Sequence, residues 1–251
     1  MTVQNISNLS TPPPRPLRLA ETALFLDLDG TLAPIAARPQ DVGPDARRTD
    51  LLESLARRLN GRLAVITGRT LSDVDHILEG CVPAVAAVHG LVRRDADGLV
   101  TETRPHPAVP RAAAALRTFA VRDPGLLVED KAGLSVALHF RQAREHAPAA
   151  RAFARELAQE TGLGLQSGDM VAELRTPGAR KGDSLRAFMG EPCFAGARPV
   201  FMGDDATDED GFAAAEALGG FGVLVGPPRP TGARFRLDDV AAALDWLEAS
   251  R

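Results

Sequence analysis

Only two cysteines occur in the chain, Cys81 and Cys193, far apart and outside any C-x-x-C spacing. That scarcity excludes a disulfide framework and a sulfur-rich zinc site; it leaves two inert thiols in a reducing compartment. Charge of one sign is scarce as well. The formal net charge is −4, so no basic field exists to hold nucleic acid. No apolar run approaches the ~20 residues needed to span a bilayer. The segment from Met1 to Pro16 has no positive stretch followed by an apolar one, which argues against a secretory signal. It ends in Thr11-Pro-Pro-Pro-Arg-Pro16 and reads as a flexible tail over residues 1–20; a proline-rich docking ligand is the competing reading. These absences predict a cytoplasmic monomer that contacts neither nucleic acid nor membrane.

What is present is an ordinary globular composition, 45% hydrophobic and 25% charged. Short apolar runs recur at Ala23 to Leu26, Leu63 to Ile66, Ala84 to Val88, Pro199 to Met202 and Phe221 to Val225. Continuous apolar runs of this length suit strands buried on both faces of a parallel sheet. Amphipathic helical patterns lie between several of them, at 45–59, 70–78, 181–189 and 208–218. The alternation predicts an α/β class with a doubly wound, mostly parallel sheet.

Residues 105–176 read differently. Helix, two strands, helix and two strands follow one another, which suits a small antiparallel sheet with both helices on one face. Prolines 105, 107 and 177 mark its borders. The expected organisation is a core of 21–104 and 177–251 with an inserted α+β cap of 105–176. Strand side chains alternate between faces. Val136, Leu138 and Phe140 therefore share the face that covers the helices, and the opposite face carries Glu129, Lys131, His139, Arg141 and Glu173. That polar face is either a solvated surface, as antiparallel sheets often have, or the roof of a cleft.

Four motifs carry chemistry. Asp27-Leu-Asp29-Gly-Thr31 follows the first buried run, and ligands of open α/β sheets sit beyond the carboxyl ends of strands. Two carboxylates so close repel unless a cation intervenes; a hard ion such as Mg²⁺ meets that need. An EF-hand calcium loop is excluded because Thr31 stands where a third Asp or Asn is required. Thr67-Gly-Arg69 follows the second run and can hold phosphate oxygens, although Thr67 as a plain helix cap is the commoner meaning. Lys181 opens a helical pattern, a poor place for a cation, so an anionic partner is expected. Gly203-Asp204-Asp205-Ala-Thr-Asp208-Glu209-Asp210 gathers five acids in seven residues at a strand end, where a cation would relieve their repulsion.

Taken in order, these motifs resemble those of the haloacid dehalogenase superfamily of aspartate-nucleophile phosphatases. A closer resemblance, to the trehalose-6-phosphate phosphatases, rests on Leu28-Asp-Gly-Thr-Leu32, Ile66-Thr-Gly-Arg69 and His89-Gly90. It extends through Glu129-Asp-Lys131 to Ala137-Leu-His-Phe-Arg141, Glu173-Leu-Arg-Thr-Pro-Gly-Ala-Arg-Lys-Gly182 and Gly203-Asp-Asp-Ala-Thr-Asp-Glu209. Thr67 stands where many relatives have Ser, and Phe140 where many have Tyr. The resemblance implies a phosphatase with Asp27 as nucleophile, Asp29 as general acid and base, and Thr67 and Lys181 on the transferring phosphoryl group. It implies Mg²⁺ at Asp27, the Asp29 backbone carbonyl and Asp204, with Asp205 and Asp208 nearby. Arg69, His89, Gly90, Glu129, Lys131, His139, Arg141 and Glu173 are then expected at the substrate, a small sugar phosphate. Any partner synthase is expected on a separate chain. A phosphatase for sucrose phosphate or mannosyl-phosphoglycerate, a phosphomutase and a silent sugar-phosphate-binding protein are the alternatives.

Overall fold

In the computed structural model, which describes residues 11–250, the apolar runs become the centre of one sheet. In chain order the elements are strand β1 (Thr22–Leu26), helix α1 (Ala46–Arg58), β2 (Leu63–Ile66), α2 (Leu71–Ile77), β3 (Ala84–Ala87), β4 (Val92–Arg94) and β5 (Val100–Glu102). There follow α3 (Val109–Ala120), β6 (Leu127–Lys131), β7 (Ser135–His139), α4 (Ala147–Thr161), β8 (Gly164–Gly168) and β9 (Val171–Arg175). The chain closes with α5 (Lys181–Met189), β10 (Arg198–Gly203), α6 (Glu209–Ala217), β11 (Phe221–Val225), β12 (Phe235–Leu237) and α7 (Val240–Ala249).

The larger sheet runs β12-β11-β10-β1-β2-β3-β4-β5. Its first six strands are parallel, and β4 and β5 extend it as an antiparallel edge. Alternation along each central strand feeds two cores. Leu24, Leu26, Leu63, Val65, Val200 and Met202 face the layer of α1, α2 and α7, while Ala23, Phe25, Ala64, Ile66 and Phe201 face α5 and α6. A fully buried Leu or Phe contributes about 1.5–3 kcal/mol relative to exposure, so these runs fix the sheet. From β1 the chain proceeds to β2 and β3 on one side, and later to β10 and β11 on the other. The strand order thus reverses at β1, where the crevice of such sheets opens.

The second sheet, β6-β7-β9-β8, is wholly antiparallel. Val136, Leu138, Phe140 and Leu174 pack with Leu116, Phe119, Ala154 and Leu157 of α3 and α4. Both helices therefore cover one face, as the alternation predicts.

The structure departs from expectation in two places. Strands β4, β5 and β12 are three residues each and carry no apolar run, and β5 is exposed at all three positions; helix α7, which opens with the apolar run Val240 to Leu244, was also not anticipated. Residues 11–20 are not a free tail. Leu17 and Leu19 are buried, the Trp246 indole N–H donates to the Arg15 carbonyl (3.0 Å), and the Arg236 N–H donates to the Pro12 carbonyl (3.1 Å). The rest of the expected tail, residues 1–10, lies outside the described residues. Among the described residues no helix is long and apolar enough to cross a membrane.

Candidate active site

The first acidic motif is placed by the ladder that precedes it. The Asp27 N–H donates to the Met202 carbonyl (2.9 Å), carrying the β1–β10 pairing one residue past the strand. Asp27 is thereby buried at the crevice, only 5% exposed. Gly30 turns the chain at φ +75°. A Cβ on Gly30 would stand 2.1 Å from Asp204 Oδ2, so the bare glycine is what lets the two acidic loops close on each other. Asp27, Asp204 and Asp208 each bring one carboxylate oxygen within 4.8 Å of the others.

Lys181 joins this group from the first turn of α5. Its Nζ stands 3.0 Å from Asp27 and donates to Asp208 at 2.7 Å, which supplies the anionic partner expected of it. Burial lowers the affinity of Lys181 for its proton, but Asp208 and Asp27 outweigh burial and keep it firmly charged. Even so, one lysine does not balance the acids. Burial pushes Asp27 well above the ordinary carboxylate range, and Asp208, Asp204 and Asp205 add to the shift against Lys181. Asp204 is pushed up to about 8 by burial and then by Asp208 and Asp205. Carboxylates held this way lack a positive charge.

The five acids of the second loop do not share one task. Asp208 accepts the Asp204 and Asp205 N–H groups (2.9 and 3.1 Å) as well as Lys181, and so braces the loop. Asp205 accepts the N–H and hydroxyl of Thr207 (2.7 and 2.6 Å). Glu209 pairs with Arg229 and accepts from Thr231 (2.8 Å), while Asp210 accepts the Gly182 N–H (3.0 Å). Asp204 alone keeps its carboxylate turned to Asp27 without a donor of its own among the described residues. Of the carboxylates expected at or near a metal, those of Asp27, Asp204 and Asp208 come together, and that of Asp205 is engaged by Thr207; Asp29 was expected to offer its backbone carbonyl.

Asp29 is held by Arg69. Arg69 Nε and Nη2 donate to its two oxygens at 2.7 Å each, and Nη1 donates to the Pro39 carbonyl (2.6 Å). The fork of Arg69 is thus occupied, although the residue lines the cleft. Thr67 is buried at the end of β2, and its N–H donates to the Ala86 carbonyl (2.9 Å). The cap of α2 is Thr70, paired with Asp73 in a capping box, so Thr67 is not the plain helix cap that the sequence also allowed.

Between the two sheets stands His89. Val88, His89 and Gly90 have φ of +46°, +56° and +101°, an uncommon left-handed run that includes a β-branched residue. The Val88 and His89 N–H groups donate to the Arg69 and Thr67 carbonyls (2.8 Å each), which pins the turn to the end of β2. The ring fills the space where a Cβ on Gly68 would fall, 2.5 Å away. On its other side it is 3.5 Å from Glu173 and 2.8 Å from Gln166 Nε2. Gly90, expected at the substrate, does not line the cleft; it packs on Ser184 of α5, where any Cβ would lie 2.3 Å from the hydroxyl.

The polar face of the small sheet closes the cleft from above. Its register aligns Glu129, Ala137, Glu173 and Gln166 in one row across four strands. Lys131 donates to Glu173 (2.7 Å), as does the Ser135 hydroxyl (2.6 Å). His139 meets Glu129 at 2.7 Å, and Arg141 donates to Asp169 at 2.9 Å. Burial raises the Glu173 carboxyl, but Lys131 and His89 outweigh it and hold the group well below the ordinary range. Glu129 is likewise lowered, by His139 and Lys131 against burial. All of these residues except Ala137 and Ser135 line one cleft with Asp27, Asp29, Thr67, Lys181 and Asp204. The polar face is therefore a roof, not a solvated surface. Gln166, Asp169 and Thr207, and the loop from Ile35 to Pro39, also line the cleft and were not anticipated. Gln166 had a usable signal, its position opposite Glu173 in the hairpin; the loop had none.

The sequence model of the trehalose-phosphatase family matches residues 25–241. The trehalose-6-phosphate phosphatase of Escherichia coli (strain K12) is 38% identical over 231 residues, spanning 91% of this chain and 86% of its own length. A probable trehalose-phosphate phosphatase of Sinorhizobium fredii is 38% identical over 215 residues, 83% of this chain and 79% of its own. Among solved structures, a trehalose-6-phosphate phosphatase related protein superposes with a TM-score of 0.76 at 27% identity, covering 90% of this chain and 95% of that one. The C-terminal domain of C. albicans trehalose-6-phosphate phosphatase gives 0.84 at 21% identity over 96% and 98%, a likeness of fold.

Proposed function

This chain belongs to the trehalose-phosphatase family, and from that premise we propose that it hydrolyses trehalose 6-phosphate to trehalose and orthophosphate, through a phosphoryl group carried on Asp27 and with Mg²⁺ as cofactor. In this reading residues 105–176 are a cap that recognises the sugar above a catalytic core of 21–104 and 177–251. The observation that carries it is the meeting, in one cleft, of the Asp27–Lys181–Asp204 group with the Glu129–His139 and Lys131–Glu173 pairs.

The donor set fits a hard divalent cation. Asp27 and Asp204 are oxygen donors turned to each other, both held above the usual carboxylate range for want of positive charge. Asp27 and Asp204 would hold the ion, with Asp208 beside them. A bound Mg²⁺ supplies charge neutralisation between nucleophile and phosphate.

The chain's own residues do the rest. An Asp27 oxygen attacks phosphorus while the bond from phosphorus to the sugar oxygen breaks. Asp29 gives that oxygen a proton, which requires its carboxylate to leave the fork of Arg69. Asp29 then takes a proton from the water that attacks phosphorus, and the Asp27–phosphorus bond breaks. A positioned acid–base group typically contributes ~10²–10⁴-fold. Lys181 and Thr67 bind the transferring oxygens, where fixed charge and hydrogen bonding do most of the work in phosphoryl transfer. On the roof, sugar hydroxyls replace the present ion-pair contacts of Glu129, Lys131 and Glu173. The test is phosphate release from trehalose 6-phosphate against sucrose phosphate, mannosyl-phosphoglycerate and simple hexose phosphates, with Mg²⁺ and without. Trehalose 6-phosphate should be preferred and the reaction metal-dependent; equal rates across the panel would sink the substrate assignment.

A further inference from the structure

Behind the cleft lies a second chamber of about 390 Å³. His89, Gln166, Lys181 and Thr207 line both spaces and form the partition between them. Arg175 of β9, Arg180 at the start of α5 and Ser167 of β8 complete the lining that bears on its chemistry.

The chamber is built for negative charge and contains none to spare. Arg175 is 6% exposed, yet its guanidinium is only partly served: Nη2 donates to the Ala179 carbonyl, and the buried Nε has no partner. A buried donor left unmatched costs about 1–3 kcal/mol. Among the described residues neither Arg175 nor Arg180 forms an ion pair. The chamber's one lining carboxylate, Asp210, is taken up by the Gly182 N–H at 3.0 Å. Burial disfavours the charged Arg175; Glu173 opposes this and the neighbouring Arg180 adds to it. The positive end of the nine-residue helix α5 points the same way.

We propose that this chamber is a second oxyanion site, which takes a tetrahedral anion of the phosphate class between Arg175 and Arg180. The binding stands apart from the activity proposed above; only its consequence rests on that reading. An anion held one side chain away from Lys181 and His89 opposes the entry of another anion into the cleft. Product phosphate would then raise the KM for the anionic substrate and leave kcat at saturating substrate unchanged.

The experiment titrates inorganic phosphate into the full chain after metal has been removed with a chelator, and reads binding by calorimetry. Saturable binding is expected. Arg180→Gln, at an exposed position, should weaken it about tenfold, the loss of one charge-assisted contact. Ser167→Asp, which sets a carboxylate on the chamber wall from an exposed strand position, should weaken it at least as much, and Arg180→Lys should restore part of the loss. Absence of saturation, or an affinity unmoved by both Arg180→Gln and Ser167→Asp, would overturn the proposal. Phosphate release from trehalose 6-phosphate is measured on the same preparations. A chain that binds phosphate but turns over no sugar phosphate loses the proposed function and keeps the second site; one that turns over but fails the titration does the reverse.

Discussion

The floor and the roof of the cleft are both lined with charged side chains, and they are charged in opposite senses of completeness. On the floor, Asp27, Asp204 and Asp208 are all raised above the ordinary carboxylate range, because burial and mutual repulsion exceed what Lys181 offsets. On the roof, Glu129 and Glu173 are lowered, because His139, Lys131 and His89 more than offset burial. The floor is short of a cation and gains from any that arrives. The roof is already paired and must exchange partners to bind anything. Chemistry suits the first arrangement and selection among sugars the second, since a paired site left unmatched by the wrong ligand loses affinity.

The sharpest way to break this contrast is at the floor. Asp27→Asn should abolish turnover, a loss of about 10⁴-fold or more, with the fold intact by circular dichroism. Appreciable residual phosphate release from clean protein would reject Asp27 as the nucleophile. Chelation of metal should cost about 10³-fold. Its thermodynamic counterpart is more telling: at a hundredfold excess over its dissociation constant, Mg²⁺ should stabilise the chain by about 2.7 kcal/mol. Asp204→Asn should erase that gain yet leave the metal-free chain at least as stable as wild type, because it removes a repelled charge. Thermal unfolding with and without Mg²⁺ reads both; a mutant that still gains from Mg²⁺ would dissolve the contrast.

Smaller effects are expected at the roof. Glu129→Ala or Glu173→Ala should lower kcat/KM for trehalose 6-phosphate by about 10²-fold and act much less on an aryl phosphate, so equal losses would count against a sugar-binding roof. The smallest is a matter of acidity. Glu173 lies well below its ordinary value of 4.5, so the stability it contributes is complete above that value and drains away as pH falls toward its folded one. Glu173→Gln should therefore destabilise by about 2 kcal/mol at neutral pH, and the gap should narrow in acid. Denaturant unfolding across pH 3–7 measures it; a constant gap would show that the pairing with Lys131 is not what Glu173 supplies.

Much of this was legible in the sequence, for a physical reason. Strands buried on both faces leave uninterrupted apolar runs, and a two-residue alternation sorts Val136 from Ala137 without any structure. Edge strands leave no such trace: β5 is exposed throughout, and β12 is three residues long. At the site, the motifs named which residues meet but not how they divide their contacts. That Arg69 holds Asp29, that Asp205 caps Thr207 and that Glu209 serves Arg229 follow from loop geometry, which residue type alone does not encode. Gln166 was within reach, because Glu173 lies across from it once the hairpin around Asp169 and Met170 is drawn.

One ring links the two halves. The backbone of His89 is tied to the end of β2 by paired N–H groups, and its imidazole rests where Gly68 has no side chain, so it stays with the floor. Glu173 and Gln166, which it touches, travel with the roof. Any hinging that lifts one sheet from the other must therefore unlatch this histidine, and re-engaging it returns the smaller sheet to a fixed height above the acidic floor.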